Sequence, residues 1–123
     1  MSKFEKFLRN GDRLLIIDHL SRLRKPENIA LALQHYSAAV RIEAVEALGN
    51  LGPRAAPFVK DIIKHALERG VYPLEYVQLS AVSALGKIGS PEALPALRKI
   101  HKKFLYQEQQ DMVVEAIRKI ENK

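Results

Sequence analysis

Apolar residues recur along the chain at helical spacing, and the recurrence itself repeats. In "VRIEAVEALGNLG" (residues 40–52) Val40, Ala44, Ala47, Leu48 and Leu51 stand at i, i+4, i+7, i+8 and i+11. That spacing draws one stripe along an amphipathic helix. "VQLSAVSALGKIG" (77–89) restates the phrase without a gap, 37 residues later. Two weaker copies flank the pair: "DRLLIIDHLSRLR" (12–24) in register after a shift of 28, and "VVEAIRKIE" (113–121) after a shift of 32. No run alternates with period two between Asn-Gly or Asp-Gly turns, so no strand pattern competes.

Each copy is followed by a break and a second stripe. Gly49, Gly52 and Pro53 are expected to end one helix and open the next, and Gly86, Gly89 and Pro91 to do the same. The second helices are "PRAAPFVKDIIKHALERG" (53–70), with Val59, Ile62, Ile63 and Ala66 as its stripe, and "PEALPALRKIHKKFL" (91–105). "PENIALALQHY" (26–36) plays this part earlier, and "KFEKFLRN" (3–10) is a truncated partner at the start, with Phe4, Phe7 and Leu8 facing inward. The pattern therefore predicts about eight helices in antiparallel pairs, with half-repeats at both ends. One such pair cannot bury its own stripe, so pairs must stack and share one core. "LLII" (14–17) is apolar on more than one side, as a sandwiched helix would be. The last helix keeps a polar side (Gln110, Glu115, Arg118, Lys119) that suits an end cap.

The phrase "VR..AVEALGNLG...A.P" resembles the HEAT-repeat family, in particular its short phycobilin-lyase-type repeats. The likeness is strong over 37–104 and weak at both ends. It implies an all-α, right-handed α-solenoid, with first helices on the convex side and second helices lining the concave side. The sequence departs from the family pattern at defined places. Ser37 and Leu74 stand where the family usually has Asp, and the family's Arg is kept as Arg13 and Arg41 but is Gln78 in the third copy. The inter-repeat Asp–Arg ladder is thus expected to be interrupted. An extra loop, "GVYPLEY" (70–76), fills the long interval.

Length and charge bound the reading without changing it. The 123 residues are expected to form a single domain over 1–123, burying roughly 65% of the unfolded surface. Cysteine is absent, so there is no disulfide framework and no thiolate metal site. No apolar run is long enough to span a membrane, and the N-terminal stretch lacks a secretory pattern. These features fit a cytoplasmic protein. The net charge is +6, spread as +3 over residues 1–59 and +3 over 60–123, a mild pointer to an acidic partner or nucleic acid.

Chemistry is sparse. The histidines (19, 35, 65, 101) are scattered, and Asp18 and His19 point about 100° apart on a helix. "LGKIGS" lacks the first glycine of a phosphate loop and ends a helix rather than following a strand. No catalytic, cofactor-binding or metal-ligating set emerges, so the chain reads as a non-enzyme without a cofactor. Two features point to partners instead. Relative to Val59 and Leu97, Lys60 and Lys64 occupy the same helical angles as Arg98 and Lys102, and His65 the same angle as Lys103. If the second helices stack, these bases form columns: either a solvated face or a binding surface. The loop tyrosines Tyr72 and Tyr76 either make contacts to a partner or pack under the loop. The reading is a protein-interaction or scaffolding module offering its concave face to a protein, an acidic one included. The alternative is a nucleic-acid binder using the basic columns. A third reading, an accessory subunit acting on a cofactor-bearing protein, rests on the resemblance alone.

Overall fold

The computed structural model describes residues 2–68 and 76–122. Eight α-helices lie among the described residues: α1 (Lys3–Asn10), α2 (Arg13–Leu20), α3 (Pro26–Leu31), α4 (Ala38–Asn50), α5 (Val59–Ile62), α6 (Tyr76–Ile88), α7 (Leu94–His101) and α8 (Gln107–Glu121). The first helices of the repeats, α2, α4, α6 and α8, form one row, each packed on the next. The second helices form the other layer: α3 lies against α4, α5 with its flanking turns against α6, and α7 against α8. This is the stacked all-α solenoid that the periodicity predicts.

Local chemistry sets the boundaries. Ser2 caps α1 through a reciprocal pair of bonds with Glu5, and the Asp12 carboxylate accepts from the Leu14 and Leu15 N–H groups to start α2, each satisfying donors that the first turn leaves open. The second helices are less regular than the pattern suggests. The segment expected as one helix over 53–70 begins as a 3-10 helix over Gly52–Phe58, becomes α5, and continues as a π-helical turn over Ile63–Leu67. Pro57 lies inside it, has no N–H to give, and prevents a regular α start. The wide turn closes with the Glu68 N–H on the Ile63 carbonyl at 2.7 Å.

The core runs the length of the stack. Leu20, Leu48 and Leu85 hold one repeat position and are each 0% exposed, which bears out the register. Leu8 is buried, with Phe4 and Phe7 half-buried beside it. Three expectations are corrected. Gly49 and Gly86 do not end helices; they lie inside α4 and α6. Among the described residues, Gly52 and Gly89 are those with left-handed φ, 64° and 78°. Leu14 and Leu15 are 70% and 61% exposed, so α2 is covered on one side only. Tyr76 is not a loop residue but the first residue of α6, while Tyr72 lies outside the described residues.

Gly49 and Gly86 set the spacing of the row. A Cβ at Gly49 would lie 2.8 Å from Ala84 Cβ, and one at Gly86 would lie 3.0 Å from Ala116 Cα. The backbones of α4, α6 and α8 thus approach one another almost to contact. The second helices meet their neighbours chiefly through the 3-10 segments at Gly52–Phe58 and Pro91–Ala93.

Candidate functional surfaces

A row of amides and one guanidinium stitches the layers together. Arg41 Nη1 donates to the carbonyls of His35 and Tyr36, both at 2.9 Å. Gln78 Nε2 donates to the Leu67 carbonyl at 2.8 Å, and Gln110 Nε2 to the Phe104 carbonyl at 3.0 Å. The three share one repeat position, since Gln78 follows Arg41 by 37 residues and Gln110 follows Gln78 by 32. Each reaches back to a carbonyl that the end of the preceding second helix leaves open. Gln78 thus takes over the backbone-capping part of the arginine's work. The histidine the sequence reading left among the scattered ones, His35, is also structural. Its Nε2 lies 2.9 Å from the Leu8 carbonyl and its Nδ1 accepts from the Ser37 N–H at 3.0 Å. The ring serves both only with the proton on Nε2, and it ties α1 to the start of α4.

The second-helix face carries the predicted basic residues. Lys60, Lys64, Arg98, Lys102 and Lys103 are all exposed, as is Lys99. Two of them are engaged: Lys60 Nζ lies 4.0 Å from Glu92, and Arg98 Nη2 lies 3.1 Å from Glu121. Lys64 and Lys102 have no ion-pair partner among the described residues. The π turn adds a residue between α5 and Leu67, so equal angles at 100° per residue do not carry over to Lys64 and His65. No large apolar side chain is exposed on this face over Val59–Glu68 or Pro91–Lys103.

The first-helix face has a different character, which the sequence reading did not single out. Two adjoining grooves run along it. One, of about 380 Å³, is lined by Glu46, Asn50, Tyr76, Leu79, Ser80 and Met112 among others. The other, of about 300 Å³, is lined by Asp111, Met112, Glu115 and Lys119 over a floor of Ser83, Gly86 and Ala116. Ser83 and Met112 belong to both. The close approach at Gly49 and Gly86, with alanine and serine between, keeps the floor shallow and open. Tyr76 is 78% and Met112 39% exposed. Glu43 and Glu46 stand one turn apart on α4. Burial, and then the charge of Glu46, hold the Glu43 carboxyl above its ordinary value. Neither has a basic partner among the described residues; the polar contact of Glu46 is the Ser80 hydroxyl at 3.5 Å. Lys87 reaches Asn50, at 3.2 Å, instead.

The family model for HEAT repeats matches residues 26–118. The chain belongs to the HEAT-repeat family. Within this HEAT-repeat chain the match spans α3 through most of α8, the same layers that carry both faces. The phycobilin-lyase-type variant remains a resemblance of the repeated phrase. Neither the curated proteins nor the solved structures yield a match. No helix among the described residues is long and apolar enough to cross a membrane.

Proposed function

We propose that this HEAT-repeat chain is a non-catalytic protein-interaction module whose binding face is the row of first helices. The observation that carries the reading is the pair of adjoining grooves along α4, α6 and α8, lined by exposed Tyr76 and Met112. Aromatic and methionine side chains on an open, continuous surface suit burial against a protein. The spacing of the rows supports the same side. Helices that almost touch at Gly49 and Gly86 hold the groove-lining residues of α4, α6 and α8 in one continuous surface, whereas the second layer meets its neighbours through short turns. The test is a photo-crosslinking residue placed at Met112 or at Lys64. Protein adducts are expected at Met112 and sparse at Lys64; the opposite distribution would return the binding face to the second helices.

Nucleic-acid binding is the second reading, favoured by the six exposed bases of the second-helix face. With Lys60 and Arg98 engaged by carboxylates, Lys64, Lys99, Lys102 and Lys103 remain as the phosphate contacts, worth a slope of roughly −3 to −4 in log affinity against log salt. A duplex DNA titration at two salt concentrations checks it. Absence of binding at low salt would remove this reading, because a phosphate-tracking surface shows non-specific affinity there.

A further inference from the structure

The face proposed above also specifies the chemistry of its partner. Aligning the first helices by their repeat shifts sorts the surface into bands that cross the row. Toward the helix N-termini Leu15, Glu43, Ser80 and Met112 share one repeat position, with exposed Tyr76 and half-buried Leu79 just before Ser80 on α6. The middle band is acidic: Asp18 on α2, Glu46 on α4 and Glu115 on α8 share one repeat position, and Glu43 stands beside Glu46. In the outer helices these carboxylates are matched locally, Asp18 by Arg22 at 3.2 Å and Glu115 by Arg118. At the centre of the row, Glu43 and Glu46 are not. A chain of net charge +6 thus keeps Glu46 in the lining of its apolar groove with no ion-pair partner among the described residues, and Glu43 one turn away on α4, where burial and then the charge of Glu46 oppose the ionisation of Glu43. A cation supplied from outside relieves that cost, and the aromatic face of Tyr76 lines the same groove.

We propose that the groove between α4, α6 and α8 docks a basic amphipathic segment of a protein partner, its Lys or Arg side chains on Glu43 and Glu46 and its apolar side chains on Tyr76, Leu79 and Met112. This rests on the protein-interaction reading of the first-helix face and adds the charge of the partner. It also sets this surface apart from the basic second-helix face, which is suited to an acidic ligand. The mode is a helix or extended segment laid across a groove, with apolar anchors for affinity and charge for selection.

The test uses the whole protein and two fluorescein-labelled synthetic peptides of about 14 residues, roughly four helical turns. One is built from Leu and Lys at amphipathic spacing; the other has every Lys replaced by Glu. Anisotropy titrations are run with wild type, with Glu43→Gln/Glu46→Gln, with Tyr76→Ser and with Lys64→Gln/Lys102→Gln. The double Gln variant removes two like charges from one helix face, and its melting curve is expected to match or exceed that of wild type. The Lys peptide is expected to bind wild type, to bind the double Gln variant about tenfold more weakly, equivalent to about 1.4 kcal/mol, to weaken with Tyr76→Ser, and to be unchanged by the lysine substitutions. Equal affinity for wild type and the double Gln variant overturns the proposal, as does no binding of the Lys peptide. Binding of the Glu peptide alone, lost with the lysine substitutions, overturns it while keeping the protein-interaction reading. Duplex DNA binding with neither peptide bound overturns both.

Discussion

Replacing Gly49 by Ala tests the spacing of the first-helix row directly, because two effects of opposite sign compete there. In an exposed helix interior the change would stabilise by about 0.8–1.0 kcal/mol, through the poorer helix propensity of glycine. Here the new methyl would meet Ala84 Cβ at 2.8 Å and Ala84 Cα at 2.9 Å. Ordinary carbon contacts lie at about 3.5–4.0 Å, so α4 and α6 must part by about 0.7–1 Å. One of the obstructing atoms is backbone and cannot swing aside. The two helices share the most extensive helix–helix contact among the described residues, so separation loosens packing along their whole length. Overpacking of this kind costs about 1–3 kcal/mol. The net expectation is destabilisation of up to about 2 kcal/mol, read as a lower midpoint in urea at unchanged slope. A second variant, Ala84→Gly, isolates the contact. The pair together should recover the part of the loss due to Ala84 Cβ, since Cα stays 2.9 Å away, with a coupling of at least about 0.5 kcal/mol in the double-mutant cycle. Stabilisation by Gly49→Ala alone, or additivity of the two changes, would refute the close approach. Gly52→Ala serves as a contrast: φ is 64° with nothing within 4 Å of the added Cβ, so its cost should be the left-handed backbone penalty alone, about 1–2 kcal/mol.

Other expectations are simpler. Leu48→Ala and Leu85→Ala, at two fully buried equivalent positions, should each cost about 2–5 kcal/mol in chemical denaturation; losses under about 0.5 kcal/mol at both would mean the register is misdrawn. Gln78→Ala leaves the Leu67 carbonyl without its side-chain donor and should cost about 1–3 kcal/mol; a neutral result would remove the cap from the account of layer packing. Glu43 holds its proton to higher pH when folded than its ordinary 4.5, because it is partly buried and then because Glu46 repels its charge. Folding therefore takes up a proton in that window, and the contribution of Glu43 to stability falls as pH rises through it. Glu43→Gln should match wild type at acid pH and equal or exceed it at neutral pH; a less stable variant at neutral pH would contradict the sign.

The architecture was legible because helical periodicity and repeat shifts are both local properties of the sequence. Leu20, Leu48 and Leu85 fall on one stripe by counting alone, and all three are buried. What counting missed is set by the third dimension. Gly49 and Gly86 carry the two signatures of glycine, chain termination and close approach, and only the neighbouring helix decides between them. The glycines three residues later, Gly52 and Gly89, are the ones that turn the chain. Gln78 looked like a lost arginine; its role became visible only when the Leu67 carbonyl stood beside it, although Gln110 at the next equivalent position was a signal already present in the sequence. The second-helix columns show a related effect. Their equal angles assumed a constant 100° per residue, and the π turn over Ile63–Leu67 breaks that assumption at Lys64 and His65. Glu43 and Glu46, by contrast, sit on the regular helix α4 where the counting holds, but a charged pair at that spacing reads as ordinary solvation until the missing counter-charge is seen.

The last helix shows how the row is closed on that side. Val114 holds the position of Val45 and Val82, which are both fully buried under the next layer, yet it is 53% exposed. The residue beyond explains how this is tolerated. Arg118 occupies the place of Gly86, and so of the close approach that lets α8 lie against α6. Its guanidinium is fixed across the helix surface by two hydrogen bonds to Glu115, one of them at 2.9 Å, and that pairing lowers the Glu115 carboxyl while raising the arginine. A helix packing on α8 at the spacing of the inner row would have to displace a bidentate ion pair where the inner helices offer a bare Cα. The stack is therefore guarded at this side by charge, while its first-helix face stays open. A charged pair on the outer side of α8 and grooves along the first-helix face suit a solenoid that binds across its layers.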